Sequence, residues 1–292
     1  MSHGKRVFRG AALLGAVAAV AAPTASAMRI GGTPSDDVIK GSAKHDTIFA
    51  RAGNDTVTSG AGPDRVIGGP GDDNILGELG ADKLFGNQGN DTINGLAGND
   101  RIRGNLGDDN LRGDAAGVGD LHSRDHVWGG PGNDALYGGD ARDWLFGGAG
   151  NDQSYGERGR DLMSGGLGDD TQWGGPGNDR IFANRGADTT YGGPGNDDLW
   201  ALAQADVPEP GVDHILGEAG RDVIRTRDGE PDVVNCGPGS DKALLDTVDV
   251  IEDATPENPN GSCEVVQRAE PSAADNNKEQ ATESPADEDK QS

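Results

Sequence analysis

The chain has 292 residues and a formal net charge of −25 at pH 7, with 50 glycines and aromatic side chains at only 4%. That charge suits neither nucleic acid nor an anionic membrane surface, and no apolar run approaches the ~20 residues that a membrane-spanning helix needs. So much glycine and so few aromatics exclude a large globular core, and composition alone would point to disorder.

Residues 1–27 read as a secretory signal peptide. Lys5, Arg6 and Arg9 form a basic start, residues 11–22 are weakly apolar, and Ala25-Ser26-Ala27 is a small-residue cleavage site. The general and twin-arginine export routes both remain open.

After the signal, a nine-residue frame takes over, G-G-x-G-x-D-x-U-x with U apolar. It is cleanest at 129–137, 174–182 and 192–200, and it runs through three blocks, 32–112, 120–200 and 208–225. The sixth position is Asp throughout. The candidate ligands in that phase are Asp55, Asp64, Asp73, Asp82, Asp91, Asp100, Asp109, Asp134, Asp143, Asp152, Asp161, Asp170, Asp179, Asp188 and Asp197. Asp37, Asp46, Asp125, Asp213 and Asp222 share the phase.

Each part of the frame has a physical task. Glycine permits positive φ and close backbone approach in a tight turn. The x-U-x triplet is a short strand whose middle side chain points one way and whose neighbours point the other. Successive units therefore stack as a parallel solenoid, with the U residues inside and the Asp carboxylates lined up along the turns. Stacked strands lie about 4.8 Å apart, where two bare carboxylates repel by about 1 kcal/mol in water and about 3.5 kcal/mol at an effective dielectric near 20. A hard divalent cation relieves this. Calcium accepts six to eight carboxylate and carbonyl oxygens in flexible geometry, whereas magnesium demands a strict octahedron and keeps its waters.

On these residues the chain resembles the RTX, or haemolysin-type calcium-binding, nonapeptide repeats over about residues 32–244. The resemblance implies an all-β fold, a parallel β-roll with two nine-residue repeats per turn. Calcium would sit between like turns of repeats n and n+2, so that Asp134 partners Asp152 and Asp161 partners Asp179. It also implies several Ca2+ ions per chain.

Block one starts weakly: Ser35 and Lys44 stand where glycine is expected, as in N-terminal capping repeats. Residues 113–119 and 201–207 interrupt the frame for seven residues each and read as surface loops that rejoin it in phase. His122, His126 and His214 follow these breaks, either as solvated strand residues or as a transition-metal site.

Block two carries aromatics at its ninth positions. Tyr137, Tyr155, Trp173 and Tyr191 fall on one sheet; Trp128, Phe146, Phe182 and Trp200 fall on the other. Beside the first set the eighth positions turn polar, at Ser154, Gln172 and Thr190. Either the register shifts and the aromatics turn inward, or they form an exposed strip able to hold sugars or partner proteins.

Residues 226–268 read as degenerate repeats and a C-terminal cap, in which Thr226 adds one residue to the frame and residues 245–253 form a capping strand. Cys236 and Cys263, the only cysteines, suit one disulfide in a secreted protein; no C-x-x-C spacing supports a metal or redox pair. This end resembles secreted calcium-binding repeat proteins of actinobacteria. Residues 269–292 are a low-complexity acidic tail.

Signal, repeats, cap and tail use the whole sequence, and no H-E-x-x-H, G-x-S-x-G or phosphate-cradling motif is present, so the expectation is a non-enzyme. The expected function is a secreted, extracellular calcium-binding repeat protein that folds on meeting Ca2+. The alternative is a calcium-dependent adhesin or surface structural protein whose aromatic strip contacts cell wall or polysaccharide.

Overall fold

In the computed structural model of the chain, the described residues are 27–114, 123–201 and 211–270. The segment read as a signal peptide, up to residue 26, His122, most of both interruptions and the acidic tail from residue 271 lie outside them. The described residues form 25 strands and no helix. The strands alternate between two parallel sheets, one of 13 strands and one of 12.

The short strands follow directly from the x-U-x triplet. Val38–Lys40, Thr47–Phe49 and Thr56–Thr58 each bury only their middle residue. Those middle residues form one continuous core between the sheets, running from Ile30 through Leu84, Leu111, Leu145 and Leu199 to Ile251. With one apolar side chain per strand the core is thin, and stability depends on stacking many coils rather than on the packing of any one.

The pairing registers display the coil length. Ile48 pairs with Val66 and Val57 with Ile75, eighteen residues apart in each case. Across the first interruption Ile102 pairs with Val127 and Leu111 with Leu136, and across the second Thr190 pairs with Ile215 and Leu199 with Ile224. The offset across each interruption is twenty-five, one eighteen-residue coil plus seven, so the frame resumes unshifted on the far side. Past Thr226 the offset becomes nineteen, as Ile215 pairs with Val234 and Ile224 with Ala243. The Cys236–Cys263 disulfide ties the last coils together, and both cysteines are buried.

Block two keeps its register. Ser154 pairs with Gln172 and Gln172 with Thr190, and these polar side chains point inward, each 1% exposed. The aromatics beside them face outward and half-buried as a stacked ladder. Tyr137 to Tyr155, Tyr155 to Trp173 and Trp173 to Tyr191 have ring centroids 4.9, 4.4 and 5.7 Å apart, at interplanar angles of 5°, 2° and 2°. A one-residue slip would have brought the rings inward, but it would have dragged the aspartates out of the turns on either side.

Candidate metal centres

The turns hold the chemistry. In block one the fourth-position glycines Gly71, Gly80, Gly89, Gly98 and Gly107 all have φ between 119° and 149°. A Cβ on Gly71 would lie 2.1 Å from the Gly53 carbonyl oxygen in the neighbouring coil, so only glycine lets the turns stack this closely.

Asp73 represents the sixth position. Its N–H donates to Asp91 Oδ1 at 2.8 Å, and its carbonyl accepts from the Thr92 N–H at 2.8 Å. Its Oδ1 accepts from the Asp55 N–H at 2.8 Å. Every polar group of the residue is thus used except Oδ2, which is buried with no hydrogen-bond partner.

The same contact repeats along both edges. Asp64 N–H donates to Asp82 Oδ1 at 2.7 Å, Asp134 to Asp152 at 2.7 Å and Asp161 to Asp179 at 2.8 Å. It survives the interruptions, from Asp100 to Asp125 at 2.7 Å and from Asp188 to Asp213 at 2.9 Å. Among the described residues, all fifteen candidate ligands have a buried Oδ2 without a partner. Asp125, Asp222, Asp232 and Asp241 share this arrangement and so join them. Asp125 and Asp222 signalled themselves by phase, whereas Asp232 and Asp241 lie one residue out of it, in the degenerate repeats after Thr226.

The first two turns are built differently. Asp37 Oδ2 accepts the Thr33 N–H at 2.5 Å, and Asp46 Oδ2 accepts the Ser42 N–H at 2.6 Å and its hydroxyl at 2.8 Å. Asp46 is thereby satisfied at both oxygens, since the Met28 N–H donates to its Oδ1 at 2.7 Å, whereas Asp37 keeps a buried Oδ1 without a partner. At the far end Asp249 Oδ2 accepts from the Thr226 hydroxyl and the Asp246 N–H.

Burial without a partner has an electrostatic consequence. Desolvation pushes Asp73 and Asp152 up to about 6, Asp170 up to about 8, and Asp125 and Asp161 up to about 9. The amide bond to Oδ1 opposes this and is outweighed. Asp188 and Asp213 face each other across coils, and burial together with their mutual repulsion raises Asp188.

The row fits a hard cation. Where a glycine stands five residues before the aspartate, Oδ2 lies in a cradle that a side chain would fill: a Cβ on Gly68 would sit 2.2 Å from Asp73 Oδ2 and 2.9 Å from the Gly86 carbonyl oxygen. A carboxylate oxygen and a backbone carbonyl of the next coil therefore converge on one small space, the donor set a calcium ion takes. Among the described residues no three His, Cys, Asp or Glu side chains gather in one group, so such a site would lean on carbonyls as much as on carboxylates. Of the three histidines that follow the interruptions, the two within the described residues stand apart from it. His126 stacks on Trp144 with centroids 4.3 Å apart, and His214 lies on an outer strand position.

The sequence matches the family model of the RTX calcium-binding nonapeptide repeat at residues 31–66, 58–93, 85–116, 123–154, 137–172, 164–199, 173–208 and 209–230. No curated protein matches the chain. Among solved structures, one similar chain is a hyperactive, Ca2+-dependent, β-helical antifreeze protein from an Antarctic bacterium, at 16% identity and a TM-score of 0.33 over 86% of this chain and 83% of that one. With the family model spread along the repeat array and the aspartate rows in its phase, the chain belongs to the RTX calcium-binding nonapeptide-repeat family.

Proposed function

We propose that this is a secreted protein whose solenoid assembles as calcium fills the rows of turn carboxylates. The observation that carries the reading is the set of nineteen turn Oδ2 atoms buried without a donor, many of them, as at Asp73, Asp134 and Asp152, converging with a carbonyl of the adjoining coil. Unoccupied, these rows put like charges into low dielectric; a bound dication supplies the neutralising charge. Extracellular calcium modules work at roughly 10⁻⁴–10⁻³ M, and where apo sites do not preform, binding energy becomes folding energy. Asp55 through Asp197 in the candidate series would hold the ions, together with Asp125, Asp222, Asp232 and Asp241. The Cys236–Cys263 disulfide supports an oxidising, extracellular setting. Nothing in the turn rows asks for a catalytic role.

Circular dichroism of the mature chain, first in EDTA and then through a calcium titration, tests the reading. The β signal is expected to rise cooperatively with calcium, with a calorimetric stoichiometry of many ions per chain. A spectrum that is β-rich in EDTA at neutral pH and indifferent to calcium would falsify it.

The outward aromatic ladder favours a second reading, contact with a cell-wall polymer or partner protein. Flat rings at one-coil spacing offer a continuous apolar strip. Trp173→Ala should then abolish pull-down on cell wall while leaving the calcium titration unchanged.

A further inference from the structure

The outer face of the 13-stranded sheet carries an aromatic column of its own, and one rung of it is missing. Trp128 pairs with Phe146, Phe146 with Ser164, Ser164 with Phe182, and Phe182 with Trp200. The Trp128 and Phe146 rings stack at 6.1 Å and 13°, and Phe182 and Trp200 pack at 5.8 Å. Between the two pairs stands a serine. One face of Phe146 is covered by Trp128, and the other looks onto the coil that has no ring.

Beside the gap runs a trough. Two residues past the aromatic column the chain places Gly130, Gly148 and Gly166 in successive coils. The same column takes Asn87, Asn105 and Asn184 at φ of 88°, 79° and 79°, so the backbone there accommodates a side chain. Three consecutive glycines leave the space empty. With the serine gap they open a cleft of about 390 Å³, bounded by Trp128, Phe146, Leu167, Asn184 and Arg185. That volume lies within the ordinary range for small-ligand sites, roughly 300–1,000 Å³.

We propose that this cleft binds one acidic sugar ring, stacked on Phe146 in place of the missing rung, with its carboxylate toward Arg185. The polar groups on its walls call for acceptors. Trp128 Nε1–H and Arg185 Nε–H are both donors and neither has a partner. Ser164 Oγ accepts from Asn184 Nδ2 at 2.7 Å, which leaves its own hydroxyl proton to donate. An aromatic wall with unpaired buried donors suits a sugar ring, and a guanidinium among them favours an anionic one. Charge on the approach agrees. Arg65, Lys83 and Arg101 stand exposed in register up the same face, a positive track on a chain whose net charge is −25.

The slot uses none of the turn carboxylates and so stands or falls separately from the calcium reading. Isothermal titration of the calcium-loaded protein with glucuronate is the test, with glucose and benzoate as comparison ligands. Glucuronate should bind saturably with Kd on the order of 1 mM, about what a ligand of its size reaches. Glucose, lacking the carboxylate, and benzoate, lacking the hydroxyls, should each bind at least roughly tenfold more weakly, the cost of one charged hydrogen bond. Ser164→Phe should restore the rung and abolish binding, with its calcium-induced β signal intact. Arg185→Gln, at a half-buried wall position away from the core, should weaken glucuronate about tenfold or more and decides the matter if Ser164→Phe does not fold. The proposal is overturned by absence of saturable glucuronate binding, by glucose or benzoate binding equally well, or by glucuronate affinity unchanged in a folded variant.

Discussion

Replacing Asp161 with Asn should move the protein in opposite directions with and without calcium. Asp161 Oδ1 accepts the Asp143 N–H at 2.8 Å, and an asparagine carbonyl can keep that bond. The Oδ2 site would receive an NH₂ group, with the Gly174 carbonyl oxygen in the same cradle as an acceptor. Burial pushes Asp161 from 3.8 up to about 9. At pH 7.5 the metal-free fold therefore has to take up a proton that the unfolded chain does not hold, at about 1.36 kcal/mol per pKa unit, so about 5 kcal/mol as a ceiling before the turn relaxes. Asparagine carries no such penalty. In EDTA at pH 7.5, Asp161→Asn should then be the more stable chain, by at least about 1 kcal/mol, since unpaired buried charge is among the costliest features of a fold. In calcium it should be the less stable one, because an anionic ligand is gone; a loss of about 1–2 kcal/mol is a 5–30-fold rise in the calcium midpoint. Urea denaturation followed by circular dichroism, in EDTA and at saturating calcium, reads both signs. Destabilisation of equal size in both conditions would refute the reasoning, because Asp161 would then be an ordinary turn residue with its charge accommodated by the protein.

Acidity should substitute in part for calcium. The raised carboxylates contribute stability that is fully present below about pH 3.8 and is lost as pH rises through the folded values of about 6 to about 9, so the chain in EDTA should gain β signal on going from pH 8 to pH 4.5, and calcium binding near pH 7 should release protons measurable by calorimetry in buffers of different ionisation enthalpy. Gly71→Ala should be costly in either state, by about 3 kcal/mol or more, because its φ is 134° and its Cβ would meet the Gly53 carbonyl oxygen at 2.1 Å; calcium-loaded melting temperature checks it. Cys236→Ser with Cys263→Ser opens a loop whose ends are 27 residues apart, and should cost about 3.5 kcal/mol in the chain-entropy account, read as a lower urea midpoint for the calcium-loaded protein.

The solenoid was legible because its period is enforced by two demands that sequence cannot hide. Glycine must stand where a Cβ would strike the next coil, as at Gly71, and an apolar residue must stand where the strand points inward, as at Leu84 or Leu145. The aromatic register in block two was not legible, since Ser154, Gln172 and Thr190 argue for one phase by polarity and Tyr155 and Trp173 for the other. The aspartate ladders decided it, because they fix the turns at both ends of every triplet and leave the strand no freedom to slip. Nor was the special chemistry of the first turns visible as such. Thr33 and Ser42 look like decay of the glycine pattern, yet their amides, with the Ser42 hydroxyl, donate to the Oδ2 atoms that deeper coils leave open. Ser164 likewise reads as one lapse in a column of rings until the glycines beside it are placed in register.

The need for calcium accrues coil by coil, whereas the closures at the two ends are fixed. Asp46 and Asp249 are satisfied by protein donors, and the disulfide sits beyond the last regular repeat. Between them every coil meets only its neighbours, so stability is close to a sum of like interfaces. Deleting residues 129–146 removes one whole coil and joins Trp128 to Gly147 with the nine-residue frame unbroken, taking away Asp134 and Asp143 but neither end. The shortened chain should therefore still fold with calcium, at nearly the same midpoint, with stoichiometry lower by about two ions, one for each turn removed. Loss of calcium-dependent folding in that deletion would mean that the coils are not interchangeable, and that one of them nucleates the rest.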